Sequence, residues 1–236
     1  MQEGQQNKSM EQLLTVITPT SGRAGLDALI ASIDAQPLAD RISHILLWDD
    51  FRAAEARQPA DYQRSNRLSL VLHDGFGRNG AAPGSPLRAV GLMAAATPWV
   101  TFADDDVVWA STHIETMLSA VAGRNWCSCL RHIHSPAGDD LGIDRFESVG
   151  DDASRRVPYE MCDGNTLLFR REFGVVAAPL FRETKLYDDD RRMYAYLKAN
   201  AGPRGRTGKA TIRQTCPERL IGFFRENCTP ATDPGA

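Results

Sequence analysis

Apolar residues fall along the chain in short blocks, and the spacing within each block predicts its secondary structure. Helices are indicated after Arg23 and Thr112, where apolar residues recur three or four positions apart, and from Pro86, which suits the first position of a helix. Buried strands are predicted at 13–18, 42–48, 68–72 and 99–103. Strands that alternate with helices predict a three-layer α/β/α fold, with a mostly parallel central sheet covered on both faces.

The second half of the chain has a weaker pattern. Strands are predicted at 126–131 and 165–170, and Tyr187-Asp188-Asp189-Asp190 opens a helix whose first turn is acidic. Polar and glycine-rich composition predicts a loop at 137–157 and a flexible basic loop at 200–209, followed by a short strand at 210–213. We expect one domain over 13–215, between a disordered start (1–12) and a tail (216–236).

Three consecutive acids follow the fourth strand without a turn, in the run Val100-Thr101-Phe102-Ala103-Asp104-Asp105-Asp106. Open α/β sheets bind their ligands at the carboxyl ends of strands. Adjacent carboxylates raise each other's pKa unless a cation lies among them, and hard divalent ions such as Mg²⁺ or Mn²⁺ accept such ligands. The run therefore predicts a metal–diphosphate site, the alternative being a solvated acidic turn. The second strand also ends on acids, Asp49 and Asp50.

Composition and charge narrow the class of protein. The net charge of −3 argues against a general polyanion binder, but residues 191–225 are locally basic and suit phosphate groups or an anionic acceptor, unless they form only a solvated face. Five cysteines without a CxxC pair indicate reduced thiols in a cytoplasmic protein. The start is polar and no apolar run approaches the ~20 residues that span a bilayer, so any membrane association would be peripheral. A monomer and an oligomer are both compatible with the sequence.

Four features in this order resemble the GT-A fold nucleotide-sugar glycosyltransferases, in particular the large family 2 of inverting enzymes. They are Thr18-Pro19-Thr20 with Arg23, then Asp49-Asp50, then the triple aspartate, then Tyr187-Asp188-Asp189-Asp190. The chain departs from the family where Phe51-Arg52 replaces Gly-Ser after the second strand, and where Arg88 is followed by Ala89 instead of Asn.

The resemblance implies a nucleotide-sugar half (13–110) and an acceptor half (111–215). It implies that Asp106, helped by Asp104, holds Mn²⁺ or Mg²⁺ on the diphosphate, that Asp105 touches ribose or sugar hydroxyls, and that Asp49 or Asp50 accepts hydrogen bonds from the nucleobase. The donor-binding residues implied are Thr18, Pro19, Thr20, Arg23, Asp49, Asp50, Arg88, Asp104, Asp105, Arg204 and Arg206.

The same resemblance implies a carboxylate base that removes the proton of the acceptor hydroxyl. Asp188 and Asp189 are the candidates, with Asp188 preferred, although acids there also stabilise the start of a helix. The loop with Arg204 and Arg206 either closes over the diphosphate or is an exposed linker. His132 and His134 lie on one face of a strand, but without a nearby acid at a recognised spacing a metal-ligand role is not favoured.

Together with the resemblance, these features predict a metal-dependent glycosyltransferase that uses a nucleoside-diphosphate sugar. The resemblance alone implies UDP, by its frequency in the family, and inversion at the anomeric carbon. A glycan, a lipid-linked glycan, a protein or a modified nucleic acid would serve as acceptor. A sugar-nucleotide nucleotidyltransferase is one alternative, although Thr20-Ser21-Gly22-Arg23-Ala24-Gly25 is a poor phosphate loop. A non-catalytic sugar-binding module is the other.

Overall fold

A computed structural model describes residues 11–49, 58–72, 84–156, 158–181 and 188–230. Within these ranges the chain forms ten strands and six α-helices. The strands are β1 (Leu14–Thr20), β2 (Ile42–Asp49), β3 (Arg67–Leu72), β4 (Trp99–Phe102), β5 (Val107–Trp109), β6 (Trp126–His134), β7 (Asp140–Asp144), β8 (Leu167–Arg170), β9 (Gly205–Thr215) and β10 (Cys228–Thr229). The helices are α1 (Gly25–Asp34), α2 (Ser85–Ala94), α3 (His113–Ala120), α4 (Arg171–Ala177), α5 (Asp189–Asn200) and α6 (Ile221–Asn227).

The first four strands form the parallel part of one sheet, in the order β3-β2-β1-β4. Every residue of β1 is buried, as its apolar run predicts for a strand covered on both faces. Because the strands are parallel and in register, β1, β2 and β4 end at the same edge, and the acids that follow β2 and β4 lie along it.

Helices cover both faces of the sheet. Apolar residues of α2, α4 and α5 pack with Val100 and Phe102 on one face, whereas α1 and α3 pack with Leu14 and Val16 on the other. The stripe predicted for α1 is buried: Leu26, Leu29, Ile30 and Ile33. The predicted three-layer α/β fold is therefore confirmed.

The second half extends the sheet mainly through antiparallel pairs. Strand β8 lies antiparallel to β4, β6 to β8, β7 to β6 and β10 to β7, while β9 runs parallel to β6 and antiparallel to β5. Two predictions of loop are wrong here: β9 begins at Gly205, inside the expected loop 200–209, and β7 lies inside 137–157. Long-range pairing with β6 holds these polar segments as strands.

The segment predicted as a tail also carries structure. Helix α6 packs its Phe224 with Ile133, Cys216 and Cys228, and β10 extends the sheet beyond β7. The five cysteines are buried and free of disulfides. Among the described residues no helix combines the length and the apolar character needed to cross a membrane.

Candidate active site

Asp104 and Asp105, the first two acids of the triple aspartate, line a cleft at the carboxyl edge of the parallel strands. The cleft has a volume of about 500 Å³ and is bounded by the turn after β1, the end of β2 and the start of α2. Its lining residues are Pro19, Thr20, Ser21, Arg23, Asp49, Gly84, Leu87, Asp104 and Asp105. A larger hollow of about 750 Å³ lies at the amino edge, lined in part by Ser43 and Pro98. The carboxyl edge is the edge at which open α/β sheets bind ligands, and only it carries the aspartate cluster.

Asp105 is held inside the protein. Its carboxylate accepts hydrogen bonds from Thr20 Oγ1 at 2.7 Å and from the Arg23 guanidinium, and its side chain has no exposed area. Helix α1 starts directly over it, since a Cβ on Gly25 would lie 2.0 Å from the carbonyl oxygen of Asp105. Asp105 therefore fixes the turn after β1 to the aspartate cluster, and its contact with ribose or sugar hydroxyls stays a prediction.

Asp104 is paired with Arg88. Both of its carboxylate oxygens accept from Arg88 Nη2 at 2.7 Å, and Asn165 Nδ2 donates to Oδ2 at 3.1 Å. Burial raises the pKa of Asp104, but the charge and hydrogen bonds of Arg88 and Asn165 outweigh burial and leave that pKa lowered. Asp104 is therefore ionised at neutral pH, as a residue that faces a cation or sugar hydroxyls should be.

Asp106 lacks such a partner. Its nearest donor among the described side chains is Gln214 Nε2, at 3.4 Å from Oδ1. Burial and the negative charge of Asp104 raise the pKa of Asp106 to about 7. A carboxyl group in this setting is short of positive charge, and a divalent cation would supply it.

Arg88 joins the aspartate cluster to the start of α5. Its Nη1 donates to Asp189 Oδ2 at 3.1 Å and lies 3.9 Å from Asp190 Oδ1, while its Nη2 holds Asp104. Ser85, one turn earlier on α2, also donates to Asp189 Oδ2. Arg88 is therefore a buried bridge between the aspartate cluster and the acids of α5.

The three acids at the start of α5 differ in their surroundings. Asp188 is 29% exposed and its nearest ion partner is Arg191, at 3.9 Å, whereas Asp189 is occupied by Ser85 and Arg88. Asp190 has a buried oxygen, Oδ1, with no hydrogen bond from any described residue. Burial, then the charges of Asp189 and Asp163, raise its pKa well above the usual range. Of the three, Asp190 is the one whose carboxyl combines a raised pKa with a buried oxygen that accepts no hydrogen bond from a described residue.

Gly164, just before β8, makes room for the Asp190 carboxylate. A Cβ at position 164 would lie 2.8 Å from Asp190 Oδ1 and 3.3 Å from the Phe102 ring. The sequence predictions placed the base at Asp188 or Asp189 and did not include Asp190. The sequence held one sign of Asp190: it is the third acid of the run Asp188-Asp189-Asp190, and a motif of adjacent acids can be aligned with such a run in more than one register.

Arg131 on β6 is connected to the aspartate cluster through other side chains. It is buried, and it donates to Asp144 Oδ2 at 2.9 Å, to Asp163 and to Gln214 Oε1 at 2.6 Å. Asp163 in turn accepts from Asn165 Nδ2 at 2.7 Å, and Asn165 holds Asp104. Arg131 therefore orients both the amide that contacts Asp104 and, through Gln214, the amide beside Asp106. No local pattern in the sequence marks it.

Replacing Arg131 by methionine should lower the free energy of unfolding by about 3–5 kcal/mol, because three neighbouring acids, Asp144, Glu147 and Asp163, would lose their shared cation. Equilibrium unfolding in urea measures this change. The matched control is Arg206→Met, since Arg206 forms exposed ion pairs and should cost at most about 1 kcal/mol. Equal stability of the two variants would contradict the role given to Arg131.

Some of the other predicted donor residues line the cleft and some do not. Pro19, Thr20, Arg23 and Asp49 line the cleft, and Asp49 Oδ1 is buried without a hydrogen bond from the described residues. Thr18 is buried beneath them and bonds to His44 Nε2 at 2.9 Å. Asp50 lies outside the described residues.

Arg204 and Arg206 do not lie at the cleft. Arg204 is buried against Asp151 and the carbonyl oxygen of Val149, and Arg206 pairs with Asp151 at 2.7 Å and Asp152 at 3.2 Å. Strand β9 starts between these two arginines, which fixes both side chains. The expectation that they close over a diphosphate from a flexible loop is not supported by this arrangement.

The cluster fits Mn²⁺ or Mg²⁺ as a cation shared with a substrate. Asp106 offers a carboxylate short of positive charge, and Asp104 is ionised beside it. Within the described chain no set of three acid, histidine or cysteine ligands meets at this point. Such ions are commonly bound by one or two carboxylates together with substrate phosphates, and the donors here suit that mode.

No protein-family model matches the chain, and no curated protein matches it. Solved structures of S. aureus TarS share its fold. TarS 1-349 superposes with a TM-score of 0.63 at 19% identity, covering 92% of this chain and 66% of that chain. The complex of TarS 1-349 with UDP gives 0.63 at 18% identity (92% and 66%), and the complex with UDP-GlcNAc gives 0.64 at 17% identity (88% and 59%).

This likeness shows that the chain has the GT-A fold, which confirms the fold expected from the resemblance. The chain spans at most 66% of the length of these TarS structures.

Proposed function

We propose that this protein is a metal-dependent glycosyltransferase of the inverting GT-A type, which transfers a sugar from a nucleoside-diphosphate sugar to an acceptor hydroxyl. One observation carries the proposal: Arg88 joins Asp104, which lines the cleft on the carboxyl edge of the sheet, to Asp189 and Asp190 at the start of α5. A leaving-group site and a base are the two parts that a direct displacement at an anomeric carbon needs.

The donor would lie in the cleft with its base toward Asp49, whose buried Oδ1 can accept an N–H of the base. Arg23 remains 60% exposed while it holds Asp105, so its other N–H groups are available to phosphate oxygens. Asp106, with Asp104, would hold Mn²⁺ or Mg²⁺, which when bound acts as a Lewis acid on the departing diphosphate.

Asp190 would act as the base. It takes the proton of the acceptor hydroxyl as the acceptor oxygen bonds to the anomeric carbon and the bond to the diphosphate breaks. Because attack comes from the side opposite the leaving group, the configuration at that carbon inverts. Asp189 and Arg88 hold the start of α5 so that the Asp190 carboxyl faces Gly164.

UDP is the nucleotide we propose. The TarS structures that share this fold were solved with UDP and with UDP-GlcNAc. The acceptor is proposed only as a hydroxyl of a glycan, lipid-linked glycan, protein or modified nucleic acid. The cytoplasmic location, its peripheral membrane variant and the oligomeric state stay predictions from the sequence.

The two alternative functions, a nucleotidyltransferase and a sugar-binding module, differ from a glycosyltransferase in what they release. A nucleotidyltransferase would release pyrophosphate, but the turn after β1 is packed onto Asp105 through Thr20 and Arg23 and offers few free N–H groups to phosphates. A sugar-binding module would release nothing. The carboxyl of Asp190, which Arg88 links to Asp104 at the cleft, supports the transferase.

Thermal unfolding of the chelator-treated protein with UDP, UDP-GlcNAc and other nucleoside diphosphates tests the proposal. We expect UDP to raise Tm clearly more with Mn²⁺ than without it, because a ligand that binds only the folded state at 100 times its Kd stabilises by about 2.7 kcal/mol. Free UDP should accumulate from UDP-sugar when an acceptor hydroxyl, or water, is present.

The variant Asp40→Asn removes an exposed aspartate outside the cleft. With UDP and Mn²⁺ its Tm should rise by the same amount as that of the unaltered protein. Release of pyrophosphate would favour the nucleotidyltransferase. A Tm that no nucleotide raises, with or without Mn²⁺, would contradict the proposal.

A further inference from the structure

Two histidines and an aspartate lie together on the outer face of the sheet, away from the cleft. His132 and His134 alternate along β6, and Asp140 is the first residue of β7, the next strand. His132 Nδ1 is 3.5 Å from Asp140 Oδ1, and one ligand atom from each of the three residues lies within 4.8 Å of the other two. The histidines also line a hollow of about 280 Å³ beside β5 and β9.

An irregularity in the β6–β7 pair places the aspartate there. His132 lies opposite Ile143 and Ile133 opposite Gly142, so regular pairing would put Leu141 opposite His134. The register instead shifts by one residue, and His134 lies opposite Asp140. Directly opposed residues share a face, so the bulge moves an acid to the histidine face. Leu141 packs with the buried cluster of Ile133, Cys216 and Phe224.

Two imidazole nitrogens and one carboxylate oxygen form a set of donors that Zn²⁺ and Co²⁺ bind well. Two ligands on one tetrahedral zinc lie about 3.4 Å apart, given metal–ligand bonds of roughly 2.0–2.2 Å. The separations here reach that value by small side-chain rotations, which are open to residues that are 25% (His132) and 47% (Asp140) exposed. Arg213 lies beside His132 in the register of β9, so a cation here depends on the charge of Asp140.

We propose that His132, His134 and Asp140 form a binding site for a Zn²⁺-class transition-metal ion, separate from the Mn²⁺ or Mg²⁺ proposed at Asp106. The ion would link the end of β6 to the start of β7 across the bulge. A fourth position would remain open to water or to a ligand from the hollow. This site does not depend on the proposed transferase activity.

Titration of the full chain with Co²⁺ tests this site, after treatment with chelator and without nucleotide. We expect one Co²⁺ with the intense visible absorption of tetrahedral coordination, displaced by Zn²⁺. His134→Gln and Asp140→Asn should each weaken the affinity by more than about tenfold, since even loss of an outer-shell partner of a metal ligand typically costs 10–100-fold. Asp139→Asn, the adjacent exposed acid, is the matched control and should bind like the unaltered protein.

Asp106→Asn should keep the Co²⁺ spectrum, which separates this site from the aspartate cluster. Circular dichroism before metal addition verifies that each variant is folded, and Asp140→Asn changes a half-exposed residue if His134→Gln disturbs β6. The proposal is overturned if the unaltered protein gives no Co²⁺ absorption at micromolar concentrations. It is equally overturned if folded His134→Gln and Asp140→Asn both bind Co²⁺ with unchanged affinity.

Discussion

Asp190→Asn is expected to lower the rate of sugar transfer by about 10²–10⁴-fold, the usual contribution of a general base, while metal-dependent binding of UDP changes little. The amide is close in shape to the carboxyl but cannot accept the proton of the acceptor. Because Asp190 Oδ1 lies 3.9 Å from Arg88 and makes no hydrogen bond with a described residue, the substitution should leave the bridge from Arg88 to Asp104 intact.

Single-turnover transfer from UDP-sugar, measured beside a UDP binding curve, separates the two effects. Asp188→Asn is the matched control: its carboxylate is partly exposed and has Arg191, at 3.9 Å, as its ion partner, so kcat should stay within a few fold. If Asp188→Asn removes activity and Asp190→Asn does not, the base is Asp188, as the sequence alone suggests, and Asp190 has no catalytic role. Loss of UDP binding in Asp190→Asn would also count against a purely catalytic role.

Asp106→Asn is the second substitution with a large expected effect. It should abolish the part of UDP binding that requires Mn²⁺ and lower transfer by at least about a hundredfold, because a bound ion contributes several kcal/mol of charge stabilisation at a leaving phosphate. Removing the charge also removes the repulsion between Asp106 and Asp104, so the protein without ligand should become no less stable. The loss is therefore of metal binding and not of folding.

Thermal shifts with UDP at a series of Mn²⁺ concentrations measure this effect. Asp40→Asn again serves as the control for the loss of one exposed aspartate. Asp105→Asn gives a useful contrast: it should lower stability even without ligands, since Thr20 and Arg23 would lose their shared acceptor. A Mn²⁺ dependence that survives in Asp106→Asn would show that the ion is held elsewhere, and the site proposed for it would have to be abandoned.

The structure gives Arg88 a position between these two residues. It contacts Asp104 in the aspartate cluster and Asp189 beside the proposed base, Asp190, and its Nε makes no hydrogen bond with a described residue. A rigid connection of this kind would fix the distance between the leaving-group site and the acceptor site. In-line displacement requires that distance to be constant to within a fraction of an ångström.

The sequence by itself determined the parallel half of the fold and the edge that carries the site. Each buried strand there is a short apolar run that ends on polar residues, and α1 carries its apolar stripe, so local spacing alone places Asp49 and Asp104 at strand ends. Parallel strands then bring those ends to one edge whatever the details of packing. The same spacing predicts the three-layer α/β fold and the aspartate cluster, whereas the GT-A fold was expected from the family resemblance.

Tertiary structure decided which acid in each run is free and which is bound. Asp105 is closed off by Thr20 and Arg23, and Asp189 by Ser85 and Arg88, whereas Asp106 and Asp190 are left short of positive charge or of hydrogen bonds. Partners separated by up to about a hundred residues make these choices, and no local pattern carries that information.

In the second half of the chain, the positions of the predicted site residues depend even more on how the strands pair. A flexible loop was expected around Arg204 and Arg206, and the acid beside His132 could not be found by spacing, because strand register decides both. A shift of one residue in β7 moves a side chain from one face of the sheet to the other. In the shifted register Leu141 packs against the cluster of Ile133, Cys216 and Phe224, a long-range contact that a single sequence does not reveal.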